Sequence, residues 1–382
     1  MSICNSYILN VKVYVAVDAD TTNRRNFSMF KKILGTILCA AIACAALTGC
    51  AGSGKKKVGV SMPTQDLQRW NQDGAYMKEK FEAAGYEVDL QYAGNKPDQQ
   101  LSQVENMINS GCKVLVIAAI ESSSLSQALD KAAKKNIPVI AYDRLIMDNE
   151  NVAYYATFDN YKVGTIQGQF VEEKLGLKEG KGPFNIEFTA GDPGDNNAGF
   201  FFKGAYDVLE PYFTYGQLVC VSGQTDFDSV ATPEWASATA QARAENIIGS
   251  NYADKNIDAW LCSNDSTAQG VVTALDARYN SEGRDGQWPI VTGQDCDIVS
   301  VKNMIAGKQT MSVFKDTRTL AERTVTMVNQ ILDGKTVETN NTYNNNKKEV
   351  PSYLCDPVFA DKDSIQKILI DSGYYKAADL GL

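Results

Sequence analysis

The chain has 382 residues, with 46 acidic side chains against 37 basic ones, a net charge of −9 and no histidine. That length exceeds what one hydrophobic core holds and suits two domains, and the acidic excess argues against nucleic acid, whose affinity comes from phosphate neutralisation. The missing imidazole removes Ser-His-Asp triads, Cys-His dyads and histidine metal sites together.

Residues 1–49 read as an upstream extension and a signal. Lys31-Lys32 precedes the apolar stretch Ile33–Leu47, too short to span a bilayer, and Leu47-Thr48-Gly49-Cys50 follows. The pattern resembles a bacterial lipoprotein signal, which implies cleavage before Cys50 and lipid on its thiol. Met29 by itself opens an ordinary signal, so the expected start codon lies downstream of Met1. Residues 1–49 carry five basic and two acidic side chains, so the chain from Cys50 onward carries −12. Five cysteines remain beyond Cys50: Cys112, Cys220, Cys262, Cys296 and Cys355. Their number is odd and their spacing wide, matching neither a disulfide framework nor a zinc site. Residues 50–56 read as a tether. Gly52-Ser53-Gly54-Lys55 lacks the spacing of a phosphate loop and no strand precedes it.

From Lys57 onward strand and helix patterns alternate. Lys57–Met62 is a first strand, and Leu67, Trp70, Gly74, Met77, Phe81 and Ala84 recur at helical steps until Gly85. Strands at Tyr86–Ala93, Lys113–Ile120 and Ile137–Tyr142 follow, separated by helices through Leu101–Ile108 and Leu125–Ala132, and Val152–Thr157 is a further extended run. Near-continuous apolar strands joined by helices imply a parallel sheet covered on both faces. The pattern then restarts: a helix at Val163–Leu177, strands at Phe184–Phe188, Leu218–Ser222, Ile257–Cys262 and Trp288–Thr292, and helices near Phe200–Leu209, Ala238–Ile248 and Ala268–Arg278. A strand at Thr310–Phe314 leads to a helix at Leu320–Leu332. An Asn-rich loop around Asn340–Asn346, to which no function is given, precedes a run at Val350–Phe359 and a short helix near Ser364–Ile370. The expected fold is therefore α/β, two doubly wound parallel-sheet domains in tandem.

Polar residues cluster just beyond the strands. Asp143-Arg144 follows Tyr142; Asp192, Asp195-Asn196-Asn197, Asn264-Asp265, Gln294-Asp295 and Lys315 occupy equivalent places later, and Gln68-Arg69-Trp70 opens the first helix. An Asp after a strand also caps turns and helices, so Asp143 alone is open to both readings. Its recurrence in both units favours a ligand cleft at the carboxyl ends of the strands. Asp, Asn, Arg and Lys engage vicinal hydroxyls with paired hydrogen bonds, and Trp70 and Trp235 offer flat faces to a pyranose. Such a mixture of charges suits a neutral, hydroxyl-rich ligand. Trp70 also lies on its helix's apolar stripe, where a core role is the commoner one, whereas Trp235 follows Pro233-Glu234 in a loop.

The chain from Lys57 resembles type I periplasmic sugar-binding proteins, closest to multiple-monosaccharide-binding and xylose-binding lipoproteins of ABC transporters. The resemblance is carried by Ser61-Met62-Pro63-Thr64, Arg69-Trp70, Ala141-Tyr142-Asp143-Arg144-Leu145-Ile146, Tyr154–Asn160, Asp195-Asn196-Asn197-Ala198, Gly293-Gln294-Asp295, Phe314–Arg318 and Val350–Leu354. It implies that Arg69, Asp143, Arg144, Asn197, Asp265, Asp295 and Lys315 hydrogen-bond the sugar, with Asn196, Asn264 and Gln294 adjacent, and that Trp70 and Trp235 stack on it. It also implies a three-segment hinge, crossed near Asp159, Asp295 and Val350, between a first domain of residues 57–159 plus 296–349 and a second of residues 160–295 plus 350–382. The expected partners are a monosaccharide (xylose, glucose, galactose or arabinose), an ABC transporter permease, and the extracytoplasmic face of the membrane through the lipid anchor; a chemoreceptor or sensor is an alternative recipient. No cofactor, metal or catalysis is expected: no G-x-G-x-x-G follows a strand and no calcium-loop motif is present. A sugar-responsive repressor, the other rival, opens with a basic helix-turn-helix rather than a signal.

Overall fold

The computed structural model describes residues 55–282 and 288–382. Cys50 and the expected signal lie outside the described residues. Two sheets organise the rest. The first contains β1 (Lys57–Met62), β2 (Glu87–Tyr92), β3 (Val114–Ile117), β4 (Val139–Tyr142), β5 (Val152–Phe158), β11 (Asn341–Asn344) and β12 (Glu349–Cys355), in the order β11-β12-β5-β4-β3-β1-β2. All neighbours are parallel except β11 on β12. The second has β7 (Leu218–Val219), β6 (Phe184–Thr189), β8 (Ala259–Cys262) and β9 (Ile290–Val291) side by side in parallel. It continues through a parallel bridge from Gln294 to Val313 into β10 (Met311–Phe314), on which β13 (Val358–Asp361) packs antiparallel.

Fully buried strands explain the apolar runs: every residue of β3, β4, β8 and β10 is buried. Helices cover both faces. On the first sheet, α1 (Gln68–Ala83) and a late helix, α9 (Thr317–Leu332), share one core with β1 and β4, while α2 (Pro97–Asn109) and α3 (Ser126–Lys134) pack on the opposite core. On the second, α4 (Asn160–Leu175) and α5 (Asn196–Thr214) cover one side and α6 (Ser237–Asn251) and α7 (Asp265–Glu282) the other. A short α8 (Ile298–Ile305), unforeseen in the sequence, packs with the C-terminal segment.

In each sheet the order reverses next to its first strand: β2 lies on one side of β1 and β3 on the other, and β7 and β8 flank β6 in the same way. Ligand crevices in doubly wound sheets form at such switch points, outside the carboxyl ends of the strands. The chain leaves the first sheet after β5, at Asp159. The other two passages are displaced. Because β10 belongs to the second sheet, the chain returns after Phe314 rather than near Asp295, and because β12 pairs with β5 it leaves again after Cys355 rather than near Val350. The run read as Val350–Phe359 is two strands, since Asp356-Pro357 interrupts it and proline has no N–H for a ladder. Five Asn residues in 340–346 made that stretch look like a loop, yet Asn341–Asn344 forms a strand on the sheet edge, where polar side chains are tolerated on the solvated side.

Candidate ligand cleft

Facing strand ends of the two sheets meet around a cavity lined by Leu67, Arg69, Trp70, Asp143, Arg144, Asp195, Phe201, Trp235, Asn264, Gln294, Asp295 and Lys315. Arg69 and Trp70 come from the first turn of α1, directly after β1; Asp143 and Arg144 follow β4. From the second sheet, Asp195 follows β6, Asn264 follows β8, Gln294 and Asp295 follow β9, and Lys315 follows β10.

The lobes are closed on each other. Arg144 Nε meets Asp195 Oδ2 at 3.0 Å, Arg69 Nη1 meets Asp295 Oδ1 at 3.4 Å, and Lys315 Nζ lies 3.2 Å from Asp295 and 3.8 Å from Asp143. Each of these residues is less than a tenth exposed. Within the first lobe Arg69 Nη2 also meets Asp143 at 3.0 Å, and Arg144 Nη1 donates to the Ala119 and Ile120 carbonyls. Three cations thus face Asp143, Asp195 and Asp295, with Asp73 behind Arg69, so the fixed charges nearly cancel across the cavity. Burial pushes the Asp143 carboxyl up, but Arg69, Lys315 and Arg144 outweigh it and hold the group below its ordinary range. Asp195 goes the other way: burial raises it more than Arg144 lowers it.

The indoles form apolar walls. Trp70 carries the Arg69 and Arg144 guanidinium carbons 4.5 and 5.1 Å from its ring centre. Trp235 packs edge-on to Phe201. It lies so close to Gly191 that a β-carbon there would fall 1.9 Å from the indole. Both indole Nε1 atoms and Gln294 Oε1 are buried without a protein partner, and groups of that kind are where a polar ligand finds its hydrogen bonds. Asp143, Trp235 and Asp295 all have positive φ (59°, 57° and 96°), a conformation that costs L residues energy and gathers at functional sites.

Two residues expected among the ligand contacts do not line this cavity. Asp265 is fully buried within the second lobe: Oδ1 accepts from Gln309 Nε2 and Ser312 Oγ, both at 2.8 Å, and Oδ2 accepts from the Asp297 backbone N–H at 2.8 Å. It therefore holds the turn that presents Asp295. Its neighbour Asn264 reaches the cavity instead, with Oδ1 capping α7 through the Thr267 N–H. Asn197 bridges the lobes rather than facing the cavity, donating from Nδ2 to the Asp143 carbonyl at 2.7 Å and accepting from the Tyr155 hydroxyl at 3.2 Å. Asp265 follows the lining residue Asn264 by one position and Asn197 follows the lining residue Asp195 by two, each at the start of a helix, where the turn of the backbone redirects side chains in a way a strand-end motif does not show. Asn196 lies in a separate open groove with Ser122 and Gly194. Gln68 contacts the other lobe, accepting from the Ile298 N–H and donating to the Tyr375 hydroxyl. Leu67, Asp195 and Phe201 are lining residues that the motif reading did not assign; Asp195 alone carried a signal, as the first of the Asp195-Asn196-Asn197 cluster.

Residues 58–336 match the family model of a periplasmic binding protein domain. The chain is 49% identical over 354 residues to the multiple sugar-binding periplasmic receptor ChvE of Rhizobium radiobacter, covering 92% of this chain and 99% of that protein. It is 34% identical to the D-xylose-binding periplasmic protein of Escherichia coli, over 92% of this chain and 99% of the relative. Among solved structures, an ABC transporter solute binding protein from Clostridium phytofermentans with bound β-D-glucose superimposes with a TM-score of 0.82 at 59% identity, over 85% of this chain and all of the other. A carbohydrate transporter solute binding protein from Chloroflexus aurantiacus in complex with D-glucose gives 0.78 at 34% identity, over 86% of this chain and 98% of the other.

Proposed function

The chain belongs to the periplasmic binding protein family, among its type I sugar-binding members, and from that premise we propose that it captures one neutral aldose in the closed cleft and passes it, chemically unchanged, to an ABC transporter permease. The observation that carries this reading is the cavity itself. Two indoles supply apolar walls, and carboxylates, guanidiniums, an ammonium and amides surround them with nearly balanced charge. A phosphorylated or carboxylated ligand would leave that balance strongly negative at Asp143 and Asp295. The glucose and xylose named for the relatives are the aldoses to try first, with galactose and arabinose beside them.

Arg69, Asp143, Arg144, Asn264, Asp295 and Lys315 are the proposed hydrogen-bonding set, and Trp70 and Trp235 the stacking pair. Asn197 and Asp265 support them from behind. Closure buries these groups together, so binding energy drives the lobes shut and the closed form is what the permease meets. The two domains follow the two sheets, with hinge segments at Asp159, between Phe314 and Thr317, and between Cys355 and Val358. Cys50 is the proposed lipid attachment site that tethers the protein to the outer face of the cell membrane.

Calorimetric titration of the mature chain with D-glucose, D-xylose, D-galactose and L-arabinose tests the reading. Saturable binding of at least one aldose is expected, lost by about tenfold or more in Asp143→Ala, since a hydrogen bond to a charged group contributes roughly 1.5–3 kcal/mol and about 1.4 kcal/mol is a factor of ten. No heat with any of the four sugars would overturn it.

A further inference from the structure

Behind Arg69 lies a pair of residues that do not line the cavity. Asp73 sits one helical turn along α1, fully buried, and its Oδ2 accepts from Arg69 Nε at 3.0 Å and Nη2 at 2.9 Å. Its Oδ1 accepts from the hydroxyl of Tyr142, which is also fully buried. A guanidinium has five N–H bonds in one rigid plane. Nε and Nη2 both donate to Asp73, Nη2 lies 3.0 Å from the Asp143 carboxylate as an ion pair, and Nη1, 3.4 Å from Asp295, is the edge left towards the cavity. Asp143 belongs to one lobe and Asp295 to the other, so without Asp73 they would compete for the guanidinium and draw it across the cavity. Tyr142 directly precedes Asp143, so a single strand end sets both the brace and a proposed ligand carboxylate.

We propose that Asp73, held by Tyr142, is a positioning residue that fixes the plane of the Arg69 guanidinium and so aims its Nη1 edge at the ligand. The proposal rests on the reading of the cavity as a sugar site. Lys315 and Asp297 are the other charged groups close by on the second lobe; neither contacts Asp73 by a hydrogen bond or ion pair.

The test is a double-mutant cycle by calorimetry with D-glucose and D-xylose on the wild type, Asp73→Asn, Tyr142→Phe, Arg69→Gln and Asp73→Asn/Arg69→Gln, each with a melting curve in the absence of sugar. Asp73→Asn should weaken binding about tenfold or more and Tyr142→Phe about threefold. In the Arg69→Gln background, Asp73→Asn should weaken binding no further, because residues acting through one another are not additive. A purely structural Asp73 would lower the melting temperature and give additive losses, which overturns the proposal; so does an Asp73→Asn chain that binds as the wild type does. If Asp73→Asn does not fold, a second cycle of Tyr142→Phe, Arg69→Gln and Tyr142→Phe/Arg69→Gln decides by the same criterion. A wild type that binds sugars with an indifferent Asp73→Asn removes only the brace, whereas a wild type that binds none of D-glucose, D-xylose, D-galactose and L-arabinose removes the cavity reading and the brace with it.

Discussion

Two aspartates on the second lobe, Asp265 and Asp297, show how much a carboxylate's role depends on its surroundings. Asp265 accepts three hydrogen bonds in a fully buried place, and Asp265→Ala strands three donors. We expect a loss of at least about 2 kcal/mol of stability without sugar, at roughly 1–3 kcal/mol per stranded group, where Asp143→Ala shifts the melting curve less and the sugar affinity more. Calorimetric melting of both variants checks the contrast, and equal melting temperatures would return Asp265 to the ligand set. Asp297 has a different expectation. Burial, reinforced by Asp295, raises its carboxyl from 3.8 to about 7, so the folded chain holds a proton that the unfolded chain has released. The stability that Asp297 contributes is complete below about pH 3.8 and is lost as pH rises through about 7. Asp297→Asn removes that titration, and its stability relative to the wild type should grow from pH 5 to pH 8 in urea unfolding. A difference constant over that range would mean that Asp297 ionises normally in the fold.

At the scale of elements, the wall of the cavity depends on how closely α4 and α5 approach. A β-carbon at Gly164 would lie 2.0 Å from the Phe201 carbonyl oxygen, and one at Gly204 would lie 2.2 Å from that of Tyr161. These glycines let the two helices touch backbone to backbone, and α5 carries both Phe201 and Asn197. Gly164→Ala must push α5 outward, at about 1–3 kcal/mol for overpacking. Glucose affinity should fall together with stability, because Phe201 and the Asn197 bridge to Asp143 move with the helix. A variant that is destabilised but binds normally would show that α5 relaxes away from the cavity. The caps explain why strand-end aspartates remained ambiguous in the sequence. Asp159, Asp195 and Asp316 each accept from a backbone N–H in the first turn of α4, α5 and α9, yet Asp195 uses its second oxygen on Arg144 across the cleft. One side chain serves as cap and as cleft residue, so spacing could not separate the two roles.

Across the whole molecule, closure is distributed. Besides the ion pairs, the Ser122 N–H and hydroxyl both donate to the Gly194 carbonyl, and Leu67 of the first lobe packs against the Phe201 and Trp235 cluster of the second. Solution scattering should therefore report a smaller radius of gyration with a bound aldose than without, and Ser122→Pro, which removes both donors, should weaken the sugar-bound compact form. No change in radius on saturation would argue against hinge closure. Because the cleft cations are already paired, sugar affinity should vary little between low and high salt, unlike binding driven by anions. A steep salt dependence measured by calorimetry would point to a charged ligand.

Apolar periodicity by itself determined the alternating elements, their parallel, doubly covered sheets and the clustering of polar residues at strand ends, because helix and strand periods are local properties of the chain. Asp143, Arg144, Asp295 and Lys315 were legible for that reason, each lying directly beyond a strand. Which sheet a four-residue apolar strand joins is not local. Only the bridge from Gln294 to Val313 and the pairing of β12 with β5 decided that Met311–Phe314 and Glu349–Cys355 exchange the lobes expected of them. The same holds for Asn264 and Asp265, adjacent in sequence, of which the first helical turn of α7 sends one into the cavity and the other into the core behind it. Side-chain direction at a strand-to-helix junction depends on the angle at which the helix leaves, and that angle is set by packing against the rest of the lobe.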